Sequence, residues 1–347
     1  MDTKLKPGRI DVPVLLIFFA RPETLAKVFE QVKIARPEKL FLYQDGPRKN
    51  CPGDYANILK CREIVEDIDW DCMVFRNYQH RNVGVDPSEY IAIKWAFGCV
   101  DRAIILEDDD VPSQSFFPFC RDLLEKYCRD ERINMISGMN YLGKSGIPNS
   151  YFFTRTSAIS GWATWKRVTD QWHEKMEFMN DPYIMQLLRQ LPGRKPKAYL
   201  KVWQSHRKSG RAHYESILAS SAILNNRLNI VPAENLVSNI GIGKNASHGT
   251  TSMKTMPRGI RCAFFAKTYE IRFPLKHPQY VIEDAKYKEI VDRILGDGHY
   301  LVRLHRRIIS ILLRIGHGQI RDVMNSVKRK ISEKWNPVNV TGQDSIL

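Results

Sequence analysis

Several protein classes are excluded by what this chain does not contain. The apolar run from Val12 to Ala20 is too short to span a bilayer and lacks a small-residue cleavage site. It reads as a first buried strand of a protein that is not exported, so the sequons at Asn245 and Asn339 carry little weight. The seven cysteines (Cys51, Cys61, Cys72, Cys99, Cys120, Cys128 and Cys262) are odd in number, scattered and without a CxxC pair. That argues against a disulfide framework or a zinc site and suits reduced, mostly buried thiols in the cytoplasm. There is no GxGxxG and no GxxxxGK[ST], so neither a dinucleotide fingerprint nor a P-loop is supported. No internal repeat or low-complexity tract occurs.

What the chain has in excess is positive charge. Its 53 Lys and Arg outnumber 38 acidic residues, a net charge of +15. Such a balance favours an anionic partner, whether nucleotide, membrane surface or nucleic acid, without choosing among them. At 347 residues the chain holds one large domain or two moderate ones.

From residue 12 to about 140 the pattern alternates strand and helix, which predicts an α/β fold with a mostly parallel sheet. Strands are expected at 12–20, 39–43 and 72–75, and helices over 25–32, 55–66, 88–100 and 117–127. The run Ala103-Ile104-Ile105-Leu106 reads as a buried strand that ends in Glu107, Asp108, Asp109 and Asp110, with Pro112 stopping further pairing. Strand alternation would point Glu107 and Asp109 one way, Asp108 and Asp110 the other. Four acids so close repel one another unless something positive sits among them. A hard cation such as Mn2+ or Mg2+ is one neutraliser; a solvated acidic loop paired with Lys or Arg is the plainer alternative.

In a parallel sheet the strand-end loops converge on one edge, which brings Arg21, Asp45 and the acidic cluster together. Arg21 could face a phosphate or a base carbonyl, and Asp45 a ribose hydroxyl or base N–H. Each, taken singly, also suits an ordinary turn.

A strand-end arginine, the Gln44-Asp45-Gly46 segment, the His80-Arg81-Asn82-Val83-Gly84 turn and the Leu106–Asp110 strand end, in that order, resemble a GT-A glycosyltransferase. The likeness is to the N-acetylglucosaminyltransferase-I-like branch and its bacterial relatives in family 2. It implies a Rossmann-like GT-A domain over 12–280, with a nucleotide-sugar half (12–140) and an acceptor half (141–280). By that resemblance Arg21, Asp45 and Arg81 contact the nucleotide-sugar. Glu107 and Asp108 approach ribose and donor sugar, and Asp109 ligates the metal. Asp110 stands where the branch often has an apolar residue.

The second half carries Asn235-Leu236-Val237-Ser238-Asn239-Ile240-Gly241, similar to the NLVSNIG segment of the bacterial relatives, and His248 where their metal- or diphosphate-contacting histidine lies. It departs from their WDYQW helix start, having Ala212-His213-Tyr214-Glu215-Ser216 instead. Glu215 is the carboxylate at that helix start, where the helix dipole favours its ionised form, and is the candidate catalytic base; His213 is the alternative. Trp162 and Trp165, in the glycine turn Ser160–Trp165, could stack an acceptor sugar, or simply fill the core.

The segment 193–197 reads as a basic loop. Beyond 281 comes a basic helical tail. Leu301, Leu304, Ile308, Ile311, Leu312 and Ile315 share a helical face, and residues 301–335 carry nine Lys or Arg against two acids. This helix either lies on an anionic membrane or packs on the catalytic domain.

The resemblance thus implies a metal-dependent, inverting glycosyltransferase. It would move sugar from a nucleotide-diphospho-sugar, by preference a UDP-sugar, to a glycan or lipid-linked glycan. The expected location is cytoplasmic, peripheral at the inner face of the plasma membrane if the tail binds lipid. Nucleic acid is not an expected partner. A metal-dependent phosphoesterase or nucleotidyltransferase, or a basic nucleic-acid-binding protein, are the alternatives.

Overall fold

The computed structural model describes residues 5–191, 195–242, 253–296, 299–318 and 324. Its secondary structure follows the apolar pattern. Strand β1 (Val14–Phe18) is buried throughout, and helix α1 (Pro22–Ala35) follows at once. Pro22 has the fixed φ that an early helical position wants, and Glu23 complements the amino-terminal dipole. The helix buries Leu25, Val28, Phe29 and Val32, spaced along one face, and ends at Arg36 in left-handed conformation. Burying a side chain such as Phe29 contributes roughly 1.5–3 kcal/mol.

The chain continues through β2 (Lys39–Gln44), α2 (Gly53–Val65), β3 (Met73–Tyr78), α3 (Val85–Phe97), β4 (Arg102–Glu107), β5 (Asp110–Pro112) and α4 (Phe116–Lys126). Then come β6 (Ile133–Ser137), β7 (Tyr151–Thr154), β8 (Trp162–Trp165), the one-turn α5 (Lys166–Thr169), α6 (Pro182–Gln190), α7 (Lys195–Ser209) and α8 (Tyr214–Leu224). Strands β9 (Leu228–Pro232) and β10 (Val237–Asn239) and helices α9 (Ala285–Leu295) and α10 (Tyr300–Gly316) complete the order.

Eight strands form one sheet in the order β3-β2-β1-β4-β8-β6-β9-β7. All but β7 and β8 run in the same direction, so the fold is α/β, Rossmann-like, with a mostly parallel central sheet flanked by helices. Beside it, β5 and β10 make a separate antiparallel ribbon. The strand order has a functional consequence. The chain lays β2 and β3 on one side of β1, then returns to place β4 on the other. In sheets of this kind ligands bind outside the carboxyl ends at such a reversal. Here the reversal lies between β1, which leads into Arg21, and β4, which leads into the acids.

By internal contacts the chain divides into two compact units. The first comprises Met1–Glu174, Ala212–Gly241 and Cys262–Lys288, and holds the sheet. The second comprises Lys175–Arg211, Ile242–Arg261 and Glu289–Leu347. In the second, Asp181 caps α6 by accepting from the backbone N–H of Tyr183 and Ile184, and buried Trp203 of α7 stacks with Tyr199 and meets Phe178 edge-on.

Four expectations need correction. Pro112 does not stop pairing: it stands opposite Val237 at the end of β5, since a strand end tolerates a residue without an N–H. The acids do not alternate along one strand, because Asp108 and Asp109 form a turn between β4 and β5. Residues Lys195–Lys197 begin α7 rather than lying in a loop. Of the seven thiols, all free, only Cys61 and Cys120 are buried, and Cys99 is exposed.

Candidate active site

Arg21 follows β1 and reaches across to the β4–β5 turn. Its Nη1 pairs with Asp109 Oδ2 at 2.7 Å, and its Nε and Nη2 donate to the two oxygens of Asp108. Burial works against the guanidinium charge, but Asp108 and Asp109 outweigh it and raise the Arg21 pKa further. The positive group that four acids require is therefore present in the chain itself. Asp108 also accepts from Phe19 N, and burial nonetheless lifts its pKa above the ordinary range.

Asp110 is buried and bonded by the chain on both oxygens. Oδ2 accepts from Gly161 N at 2.8 Å and from Glu107 N at 3.3 Å, and Oδ1 from Asn239 Nδ2 at 3.1 Å. Burial and the neighbouring Asp109 push its pKa up to about 8. Asn239 also donates to Asp109 Oδ1 at 3.2 Å, while Ile240 N donates to the Asp109 carbonyl. The Asn235–Gly241 segment is thus the second wall of the acid turn. A Cβ on Gly241 would overlap the Asp109 carboxylate, which explains why glycine stands there.

Asp45 is 5% exposed, and the chain fills its acceptor sites. It accepts from Gly46 N at 2.8 Å, Val83 N at 3.0 Å, Gly84 N at 3.2 Å and Asn82 Nδ2 at 2.7 Å. A Cβ on Gly46 would lie 2.5 Å from the Arg81 backbone, so the two polar loops meet as one body. Asp45 thereby brackets the loop before α3. Arg81 contributes its backbone to this contact, and the residue is exposed.

Two further acids, which no sequence motif marks, stand on α3. Asp86 and Glu89 stand three residues apart in the first turns of α3, on one helix face. Burial raises Glu89 well above the ordinary carboxylate range, followed by the charges of Glu215, Asp86, Asp109 and Asp110. Glu107 is raised in the same way, by burial and then by Glu89. Glu89 therefore lies in the field of both the acid turn and the start of α8. Its spacing from Asp86, just after a strand-end loop, was the available signal.

At α8, His213 precedes the first turn and places Nδ1 3.3 Å from Asp86 Oδ2. Glu215 lies in the first turn and is exposed as a residue, yet desolvation of its carboxylate by the surrounding chain and then Asp86 push its pKa up to about 7, with His213 opposing. Buried Tyr214 between them anchors the helix. It stacks on Trp162 at 6.1 Å and packs against Trp172 at 6.2 Å. Trp162 and Trp165 are 1% and 3% exposed, so neither presents a face to a sugar. Trp162 supports Tyr214 from below, and Trp165 donates from Nε1 to Leu124 O. The acceptor-stacking expectation for both is overturned by burial.

His248 lies outside the described residues. Among the described residues no three acidic, His or Cys side chains are grouped so as to hold a metal ion by themselves. A Mg2+ or Mn2+ on a diphosphate needs only one or two carboxylates, phosphate oxygens and water completing the shell. The crowded hard oxygens of the acid turn fit that chemistry.

No protein-family model matches the sequence, and no curated protein does. Among solved structures the chain is similar to apo UDP-glucose pyrophosphorylase, at 9% identity over 66% of this chain and 93% of that one, with a TM-score of 0.34. It is also similar to the inositol-1-phosphate CTP transferase from T. maritima, at 10% identity over 67% and 90%, with a TM-score of 0.36.

Proposed function

We propose that this protein is a metal-dependent glycosyltransferase that moves a sugar from a nucleotide-diphospho-sugar, by preference a UDP-sugar, to a glycan or glycolipid hydroxyl with inversion. The observation that carries the reading is the 3.3 Å contact of His213 Nδ1 with Asp86 Oδ2, which ties the start of α8, with Glu215, to α3, beside the strand-end acids at the sheet's reversal. A donor lying outside β1 and β4 would present its phosphates to the acid turn and its sugar toward α8.

In this scheme Glu215 accepts the proton of the attacking hydroxyl. The hydroxyl oxygen bonds to the anomeric carbon as the sugar–phosphate bond breaks, and the electron pair leaves with the nucleoside diphosphate. A base tuned near neutrality suits that step. Asp86 would orient His213, and Arg21 would fix Asp108 and Asp109 as a positioning residue. Asp109 would hold Mn2+ or Mg2+, which when bound offsets the charge that develops on the diphosphate. The domain boundaries drawn from the resemblance, 12–280 with a tail from 281, belong to the same proposal.

The test is a nucleotide-sugar panel scored for slow donor hydrolysis with Mn2+ present, and for the bond that breaks. Release of free sugar with the nucleoside diphosphate supports the reading. Release of sugar phosphate, or exchange of pyrophosphate, would instead make the protein a phosphoesterase or nucleotidyltransferase. Loss of activity in chelator and in Asp109→Ala is expected; full turnover in either would remove the metal from the scheme.

A further inference from the structure

Helix α10 presents an apolar stripe that its own unit does not cover. Leu301 is 76% exposed, Ile308 50% and Leu312 57%, and Leu304, Ile311 and Ile315 are each at least 40% exposed. At 3.6 residues per turn the six fall within roughly 100° of the helix circumference. The opposite side faces the second unit: Val302, Ile309 and Leu313 are partly buried, and Arg306 Nη2 donates to Arg293 O at 2.9 Å. Packing within the unit thus uses a different face from the stripe.

Arg303, Arg307 and Arg314 line one edge of the stripe, and α10 contains no acidic residue. An apolar band with a cationic margin matches a surface that is apolar inside and anionic at its boundary. No helix among the described residues is long and apolar enough to cross a membrane, so the geometry is that of a helix lying in the interface. At 1.5 Å per residue the helix offers about 25 Å of such surface. Other occupants fit less well. Antiparallel pairing with a second copy would bring the two arginine rows together. Residues 319–347 carry five Lys or Arg against three acids and would add like charge.

We propose that the α10 stripe, with Arg303, Arg307 and Arg314 at its margin, docks the protein on an anionic lipid bilayer. The inference stands apart from the reaction assigned above, because it is read from binding alone.

The experiment is co-sedimentation of the full chain with vesicles of phosphatidylcholine, with and without phosphatidylserine. Binding to the anionic vesicles should exceed binding to the neutral ones about tenfold or more, and should weaken as salt shortens the screening length below about 8 Å. Two variants separate the contributions. Leu304→Glu with Ile308→Glu removes the apolar part, and Arg303→Glu with Arg307→Glu and Arg314→Glu inverts the margin. Each should lower binding about tenfold while circular dichroism stays unchanged, because all five positions are outside the core. Wild-type protein that does not sediment with anionic vesicles overturns the proposal, as does equal binding by either variant. So does a wild-type dimer in solution that Leu304→Glu with Ile308→Glu dissolves, which would make the stripe a contact between copies.

Discussion

Arg21 Nη1 stands 2.7 Å from Asp109 Oδ2 while its other nitrogens hold Asp108. The guanidinium is one-fifth exposed and the two carboxylates less than a tenth, so water screens the group only weakly. Removing one member of such a group leaves the others charged and uncompensated. Arg21→Ala should therefore destabilise the protein at pH 7 by about 3 kcal/mol or more, measured by urea unfolding. Arg21→Lys, with charge but no planar fork, should fall between. A variant as stable as wild type would show that the guanidinium is not what neutralises the turn.

Glu215 gives a pH dependence of defined sign. Its pKa of about 7 lies above the ordinary carboxylate value, so as a base it is active only where ionised. Turnover should rise with pH through about 7 and then level. By linkage the stability it contributes is fully present below its unfolded value and is lost as pH rises through about 7. Glu215→Gln should thus lower turnover roughly 100-fold or more yet be slightly more stable than wild type at pH 8, the gain kept small by solvent at this exposed residue. Near-normal turnover in Glu215→Gln with a dead His213→Ala would transfer the role of base to the histidine.

Burial raises the Glu89 pKa well above the ordinary carboxylate range, and the charges of Glu215, Asp86, Asp109 and Asp110 add to it. Replacing it with Gln should stabilise the protein at pH 7 by about 1 kcal/mol. The same change should lower kcat/KM at least about tenfold if Glu89 shapes the field between the acid turn and α8. Unchanged kcat/KM would leave Glu89 as a structural acid only.

Gly241 offers a test that adds a methyl and no charge. A side chain there would displace the Asp109 carboxylate, so Gly241→Ala should cost about 1–3 kcal/mol and lower activity with it. Gly53→Ala is the control, having open space around its Cβ direction. Equal behaviour of the two variants would show that the close approach at Asp109 does not constrain the site.

The sequence revealed the βα alternation well because each strand is an uninterrupted apolar run followed by polar punctuation. Arg21, Asp45 and the acids at one edge followed from that order alone. What escaped was what depends on pairing between distant segments. Trp162–Trp165 reads as a turn by composition, yet it forms β8 between β4 and β6, where two buried tryptophans are natural core residues. Glu89 looks like a solvated helix position until α8 is laid beside α3. Asp45 shows donors enough to fill its oxygens only once the turn at Asn82–Gly84 has docked on it.

The β5–β10 ribbon ties Asp110 to Asn239 across 129 positions of chain. Contacts of such separation are slow to form, because a long loop must close before they repay its entropy. During synthesis the βα half can assemble while the acid turn still lacks its second wall. The acid turn is therefore completed late, after the segment carrying Asn239 has left the ribosome and found Asp110. A chain truncated before Val237 would keep most of its sheet and never acquire the site.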